Sequence, residues 1–290
     1  MVHLEEHFCV SERRACQVTG QQRATQRYPR RVADDEAALL ADLRRLSAKH
    51  PRFGTPRIWA LLRREGWDVN HKRVERLWRQ TGLQVPKRQR KRRRLGVSAN
   101  GCTRRRAAYR NHVWTYDFVL DRIEGGRRMK LLTVVDEYTR ECLAIEVRRN
   151  LTGKEVVAVL QRLVAERGAP AHVRSDNGPE FIAGGVRRWL AAAGSNTLFI
   201  APASPWENAY IESFNGKLQD ELLKGELFTS LAEARLLIEA WRQDYNRVRP
   251  HGSLDYMTPA EFAAACGPSG SATLRLRDHT QPQRTLVELS

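Results

Sequence analysis

Along the first third of the chain, apolar positions recur at helical spacing. Leu39, Leu43 and Leu46 mark one face of a segment that opens with Asp34, Asp35 and Glu36, acids that suit the positive end of a helix dipole, and Pro51 closes it. After the turn Arg52-Phe53-Gly54 a second helix is predicted from about Pro56, with Ile58, Trp59, Leu61 and Leu62 as its apolar positions and Gly66 as its C-terminal cap. Asn70 caps a third, whose stripe is Val74, Leu77 and Trp78 and which Gly82 ends. A shorter helix is expected from Ser11 to about Val18, ended by Gly20.

From Val113 the period shortens. Val113 to Leu120, Lys130 to Val135 and Leu143 to Val147 are rich in β-branched and aromatic residues and separated by turn residues, which predicts three strands in an antiparallel meander. A helix from about Lys154 to Arg167, a short strand from His172 to Ser175, a helix over roughly Glu180 to Ala193, a fifth strand from Thr197 to Ile200 and a helix beginning near Glu207 complete a mixed α/β pattern.

Charge separates the two halves. Up to His112, 28 Lys and Arg stand against 10 Asp and Glu, a balance of +18; from Val113 onward 22 stand against 23, a balance of −1. A basic block joined to a neutral one predicts a polyanion-binding module attached to something else, because Lys and Arg release counterions when they meet phosphates. The three predicted helices read as a helix-turn-helix whose third member carries Lys72, Arg73, Arg76 and Arg79. The run Lys87, Arg88, Arg90, Lys91, Arg92, Arg93 and Arg94 follows and suits a linker that tracks the phosphate backbone. No stretch of 18 apolar residues and no apolar leader occurs, so a cytoplasmic, nucleoid-associated protein without a membrane partner is expected. The five cysteines are scattered and never spaced as C-x-x-C, which argues against a disulfide framework and a zinc ribbon.

Three acids stand where chemistry could use them. Asp117 interrupts an otherwise apolar strand, Asp176 closes the short strand at Ser175, and Glu212 lies in the first turns of the helix entered through Ser204-Pro205-Trp206. A carboxylate in an apolar strand is costly unless paired, and a metal ion is a natural partner. The gap between Asp176 and Glu212 holds 35 residues (212 − 176 − 1).

That spacing, with the words Trp114-Thr115-Tyr116-Asp117-Phe118, Val135-Asp136-Glu137-Tyr138-Thr139-Arg140, Ser175-Asp176-Asn177-Gly178-Pro179-Glu180-Phe181 and Ser204 to Asn215, resembles the catalytic half of insertion-sequence transposases. The specific resemblance is to the second-frame (OrfB) protein of insertion sequence family three, of the DDE type and the retroviral-integrase superfamily. It implies a ribonuclease H-like integrase core, a mixed five-stranded sheet with flanking helices, preceded by a small all-α helix-turn-helix domain. Residues 1–33 are then an N-terminal helical extension, 34–86 the helix-turn-helix domain, 87–112 a basic linker, 113–265 the core and 266–290 a tail.

Carried over residue by residue, the resemblance makes Asp117, Asp176 and Glu212 the ligands of two divalent ions, Mg²⁺ or Mn²⁺, in DNA strand cleavage and strand transfer. Asp136 is the alternative first acid, but the family's motif falls at Trp114 to Phe118. Asn177 and Asn208 are expected to shape the loops of the site or touch substrate. Seven residues after the glutamate the family commonly has Lys or Arg; here it is Gln219, and Lys217 is the nearby cation expected to contact DNA. The implied partners are double-stranded DNA, further copies of the chain on that DNA, and an upstream first-frame protein, as a frameshift fusion. The competing readings are a non-catalytic DNA-binding repressor or degenerate copy, and a ribonuclease H-like nuclease.

Overall fold

The structure, a computed structural model, describes residues 2–28, 33–83, 85, 106–175, 184–199 and 208–266. Three short helices come first: α1 (Val2–Phe8), α2 (Glu12–Thr19) and α3 (Arg23–Gln26). Only the second was legible, from its Ser11 cap and from Gly20, which takes a left-handed φ of 67°.

The next three helices, α4 (Glu36–Lys49), α5 (Thr55–Arg64) and α6 (His71–Gln80), follow the predicted punctuation. Asn70 accepts from the Lys72 N–H at 2.9 Å, and Gly66 and Gly82 adopt φ of 94° and 68°, which a side chain would resist. Leu39, Leu43, Leu46, Ile58, Leu62, Val74 and Trp78 meet in one buried cluster. This bundle leans on the far end of the chain: the Arg64 guanidinium donates to the carbonyls of Val248 and Tyr256 and pairs with Glu261 at 2.6 Å.

Five strands form one sheet: β1 (Val113–Arg122), β2 (Arg128–Asp136), β3 (Cys142–Arg148), β4 (His172–Ser175) and β5 (Asn196–Phe199), in the order β3-β2-β1-β4-β5. The first three make the expected antiparallel meander, and β4 and β5 add in parallel to β1. Alternation along β1 and β2 divides the side chains. Trp114, Tyr116, Leu132 and Val134 pack under α7 (Gly153–Arg167) and α8 (Gly184–Ala192). The opposite face carries Val119, Met129, Leu131 and Val135.

That second face is covered by α9 (Ala209–Leu218), a π-helical turn (Gln219–Leu223) and α10 (Leu231–Arg247), with α11 (Pro259–Ala265) beyond. Ile211, Phe214, Leu218 and Ile238 supply the apolar contact. No described helix is long and apolar enough to cross a membrane.

Candidate functional site

A polar row runs through the apolar face beneath α9. By strand alternation Thr115 and Asp117 share that face on β1, and Thr133, directly opposite Asp117 in the ladder, continues it on β2. Polar groups survive there because each finds a partner. The Thr115 hydroxyl donates to Asn208 Oδ1 at 3.2 Å, tying the start of α9 to β1. Thr133 Oγ1 donates to Asn215 Oδ1 at 3.0 Å, which fixes which end of that amide faces the sheet. Asn215 Nδ2 then donates to Asp117 Oδ2 at 2.9 Å, while the Phe118 N–H donates to Asp117 Oδ1 at 2.7 Å.

Glu212 lies one helical turn before Asn215 and so on the same flank of α9, where its side chain is exposed. Asp117 is half-buried. Asp176 lies outside the described residues, as does Asn177; β4 is described to Ser175, with Arg174 opposite Thr115 of β1. Among the described residues no three His, Cys, Asp or Glu side chains converge on one point. Asp117 and Glu212 offer only carboxylate oxygens, the hard donors that suit Mg²⁺ or Mn²⁺.

Asp136 has another occupation. It is fully buried, and its carboxylate accepts from the backbone N–H groups of Asn111, Tyr138 and Thr139, so it organises the β2–β3 turn. Burial pushes its carboxyl above the usual range despite those donors. Within the same turn Glu137 pairs with Arg174 at 2.8 Å, both side chains almost wholly buried, which anchors β4 just before the position of Asp176.

The cations of α6 are less available than their number implies. Arg73 pairs with Asp35 at 2.5 Å, Arg76 with Glu36 at 2.8 Å and Arg79 with Glu75 at 2.5 Å, while Lys72 is exposed without a carboxylate partner among the described residues. These pairs lie at or near the surface and are weak enough for phosphates to replace them. Lys87, Arg88, Arg90, Lys91, Arg92, Arg93 and Arg94 lie outside the described residues.

Lys217 sits five residues after Glu212, a rotation of about 140° on a helix of 3.6 residues per turn, so it occupies the other flank of α9. Gln219, two turns after Glu212, is exposed on the Glu212 flank. Sequence reasoning quoted Asn215 only as part of a motif and gave it no role. The signal was its i+3 spacing from Glu212, together with a threonine in each of the two strands that the helix covers.

The chain matches three family models: an HTH-like domain over residues 33–92 and two integrase core domains over residues 107–205 and 193–259. It is 44% identical to the 31.7 kDa protein of insertion element IS407 from Burkholderia multivorans, across 91% of this chain and 94% of that one. The 39.2 kDa protein of insertion element IS476 from Xanthomonas euvesicatoria is 42% identical across 89% of this chain and 74% of its own length. Transposase InsD of insertion element IS2 from Escherichia coli is 26% identical, across 79% of each chain. The mixed five-stranded sheet with flanking helices, behind a helical HTH-like domain, is the ribonuclease H-like integrase architecture that the motifs implied. A match of this identity and extent places the chain in a family: it belongs to the insertion-sequence transposases, as a second-frame protein of insertion sequence family three with an HTH-like domain ahead of its integrase core.

Proposed function

We propose that this transposase cuts and joins DNA strands at a site made by Asp117, Asp176 and Glu212. The reading is supported above all by the Asn215–Asp117 hydrogen bond, which joins the strand bearing one acid to the helix flank bearing another. The polar row on either side of it, Thr115 with Asn208 and Thr133 with Asn215, holds α9 against the sheet in a fixed rotation.

Asp117, Asp176 and Glu212 would hold two Mg²⁺ or Mn²⁺ ions, whose contribution is to stabilise negative charge on the attacking and leaving oxygens of a phosphodiester. This chain's residues supply the rest. Asn215 and the Phe118 N–H orient the Asp117 carboxylate, and Glu212 faces solvent where a DNA strand can reach it. No Ser, Cys or Tyr nucleophile is required: water hydrolyses the phosphodiester at the element's end and frees a 3′-hydroxyl, and that hydroxyl then attacks a target phosphodiester, forming the new P–O bond as the target strand's own 3′-oxygen leaves. Residues 34–86 and the basic segment 87–112 would hold the element's ends, and the working assembly would be an oligomer on paired ends with an upstream first-frame partner.

The test is a strand-cleavage and strand-joining assay on DNA carrying the element's own ends, with Mg²⁺ or Mn²⁺, with and without the first-frame partner. Metal-dependent products that vanish in Asp117→Asn, Asp176→Asn and Glu212→Gln, with DNA binding retained, are expected. DNA binding without chemistry in the wild type, partner included, would favour a repressor and sink the reading.

A further inference from the structure

On the flank of α9 away from Glu212 lies a cavity of about 350 Å³, in the size range of small-ligand sites, roughly 300 to 1,000 Å³. Four cations from four segments meet there: Arg57 of α5, Arg140 of the β2–β3 turn, Lys217 of α9 and Arg249 after α10. One carboxylate answers them: Glu221 pairs with Arg249 at 2.6 Å. Among the described residues no carboxylate pairs with Arg57, Arg140 or Lys217. The geometry points to a phosphate-binding site that takes a DNA phosphate and links the HTH-like domain to the catalytic core.

Three observations carry this. The cluster carries excess positive charge: burial, then Arg249, with Arg57 and Arg140 adding and Glu221 opposing only in part, pushes the Lys217 ammonium down to about 8, and the Arg57 guanidinium is lowered by burial and by Arg249 against Glu221. Four cations held together with a single carboxylate among them cost free energy that a bound dianion or diester would relieve.

Second, Arg140 is held as a ligand-binding arginine would be. Its φ of 64° is one that a non-glycine residue rarely adopts, and its N–H is fixed to the Asp136 carbonyl at 2.9 Å. The guanidinium stacks 3.7 Å from the centre of the Tyr210 ring, and its Nη1 is buried without a hydrogen-bond acceptor. The sequence word that ends at Arg140 is not otherwise used by the catalytic reading.

Third, the location suits a nucleic-acid phosphate. Tyr210, Ser213 and Lys217 line one flank of α9 while Glu212 and Asn215 occupy the other, so the cavity is about one helix diameter, roughly 10 to 12 Å, from Glu212. A strand whose reacting phosphate lies at Glu212 carries further phosphates over that distance, at about 3.4 Å of axis each. The assignment of DNA as the source rests on the proposed function; the anion site itself does not.

The experiment uses the full chain and a duplex of the element's end without divalent metal, so that it reads binding and not chemistry. Affinity is followed against salt for the wild type, Arg140→Gln, Lys217→Gln and Arg57→Gln. Each variant is expected to bind roughly fivefold to tenfold more weakly and to lower the slope of log affinity against log salt by about one, with a melting temperature no lower than wild type. Inorganic phosphate, against chloride at equal ionic strength, is expected to raise the wild-type melting temperature and not that of Arg140→Gln. A phosphate-dependent rise with unchanged DNA affinity in all three variants would assign the site to free phosphate and overturn the DNA source. No phosphate effect and no change in DNA affinity would overturn the site. Asp176→Asn retains this binding signature whether or not the catalytic reading holds, so the two failures are distinguishable.

Discussion

Asn215 Nδ2 lies 2.9 Å from Asp117 Oδ2, and the other end of the same amide accepts from Thr133. One side chain therefore sets both the rotation of α9 and the orientation of the Asp117 carboxylate. Partners that orient a metal ligand typically account for 10- to 100-fold in affinity or activity. Asn215→Ala should fold, since it leaves space and the Thr133 hydroxyl keeps the Asp117 carbonyl as an acceptor, yet lose roughly 10- to 100-fold in strand cleavage and need more Mg²⁺ to reach half its rate. Asn215→Asp sets a second carboxylate against Asp117, which raises the pKa of the pair, so the rising limb of its pH–rate profile should move to higher pH. A profile and Mg²⁺ requirement identical to wild type in both variants would show that Asn215 only packs.

The buried pair of Glu137 and Arg174 ties β4 to the β2–β3 turn. Removing one partner of a buried ion pair typically costs about 3–5 kcal/mol, whereas replacing both with apolar residues is often close to neutral. Arg174→Met should therefore lower the denaturation midpoint sharply, and the double variant Glu137→Leu, Arg174→Met should recover most of the loss. If the double variant proved as unstable as the single one, the ion pair would not be the source of the effect.

His251 links stability to acid. It is buried, with Nε2 on the Tyr245 hydroxyl at 2.9 Å, and burial together with Arg249, Lys217, Arg140 and Arg57 depresses its pKa to about 2. The unfolded chain, with an ordinary histidine, binds the extra proton below about 6.5. Stability from this group is thus full above that pH and is lost as pH falls, by about 2 kcal/mol between pH 6.5 and 4.5. The difference in unfolding free energy between wild type and His251→Gln should shrink over that window. A difference independent of pH would mean that His251 takes up its proton in the fold as readily as in the unfolded chain.

Much of this architecture was legible because it is local. The caps at Asn70, Gly66 and Gly82 and the stripe Val74, Leu77, Trp78 needed only near neighbours in the chain, and so did the period-2 strands. Asp117 stood out as a charge in an apolar strand. What was hidden depends on contacts distant in sequence. Nothing near Arg73 and Arg76 reveals that Asp35 and Glu36 reach them from α4, so charge counting overstated how many cations α6 offers. The cavity at Arg140 collects residues from positions 57 to 253, and no spacing rule gathers these. The helices α10 and α11 were not assigned as elements, although the capping box of Thr258 and Glu261 was there to read.

Gln219 and Lys217 separate two ways of holding DNA. Gln219 is exposed two turns beyond Glu212 on the same flank, in the position where the family's motif commonly carries a cation, whereas Lys217 lies across the helix among Arg57, Arg140 and Arg249. Gln219→Lys adds one charge beside the acids, where a substrate phosphate must pass. End-duplex affinity at low salt should rise severalfold and the salt slope should steepen by up to about one. Because the two positions face different phosphates, Gln219→Lys placed on Lys217→Gln should add its own increment without restoring the phosphate-dependent melting shift. Salt titrations and thermal melts of the two single variants and the double variant measure this directly. Full recovery of that shift by Gln219→Lys would mean that both positions serve one phosphate, and the separation of α9 into two functional flanks would fall.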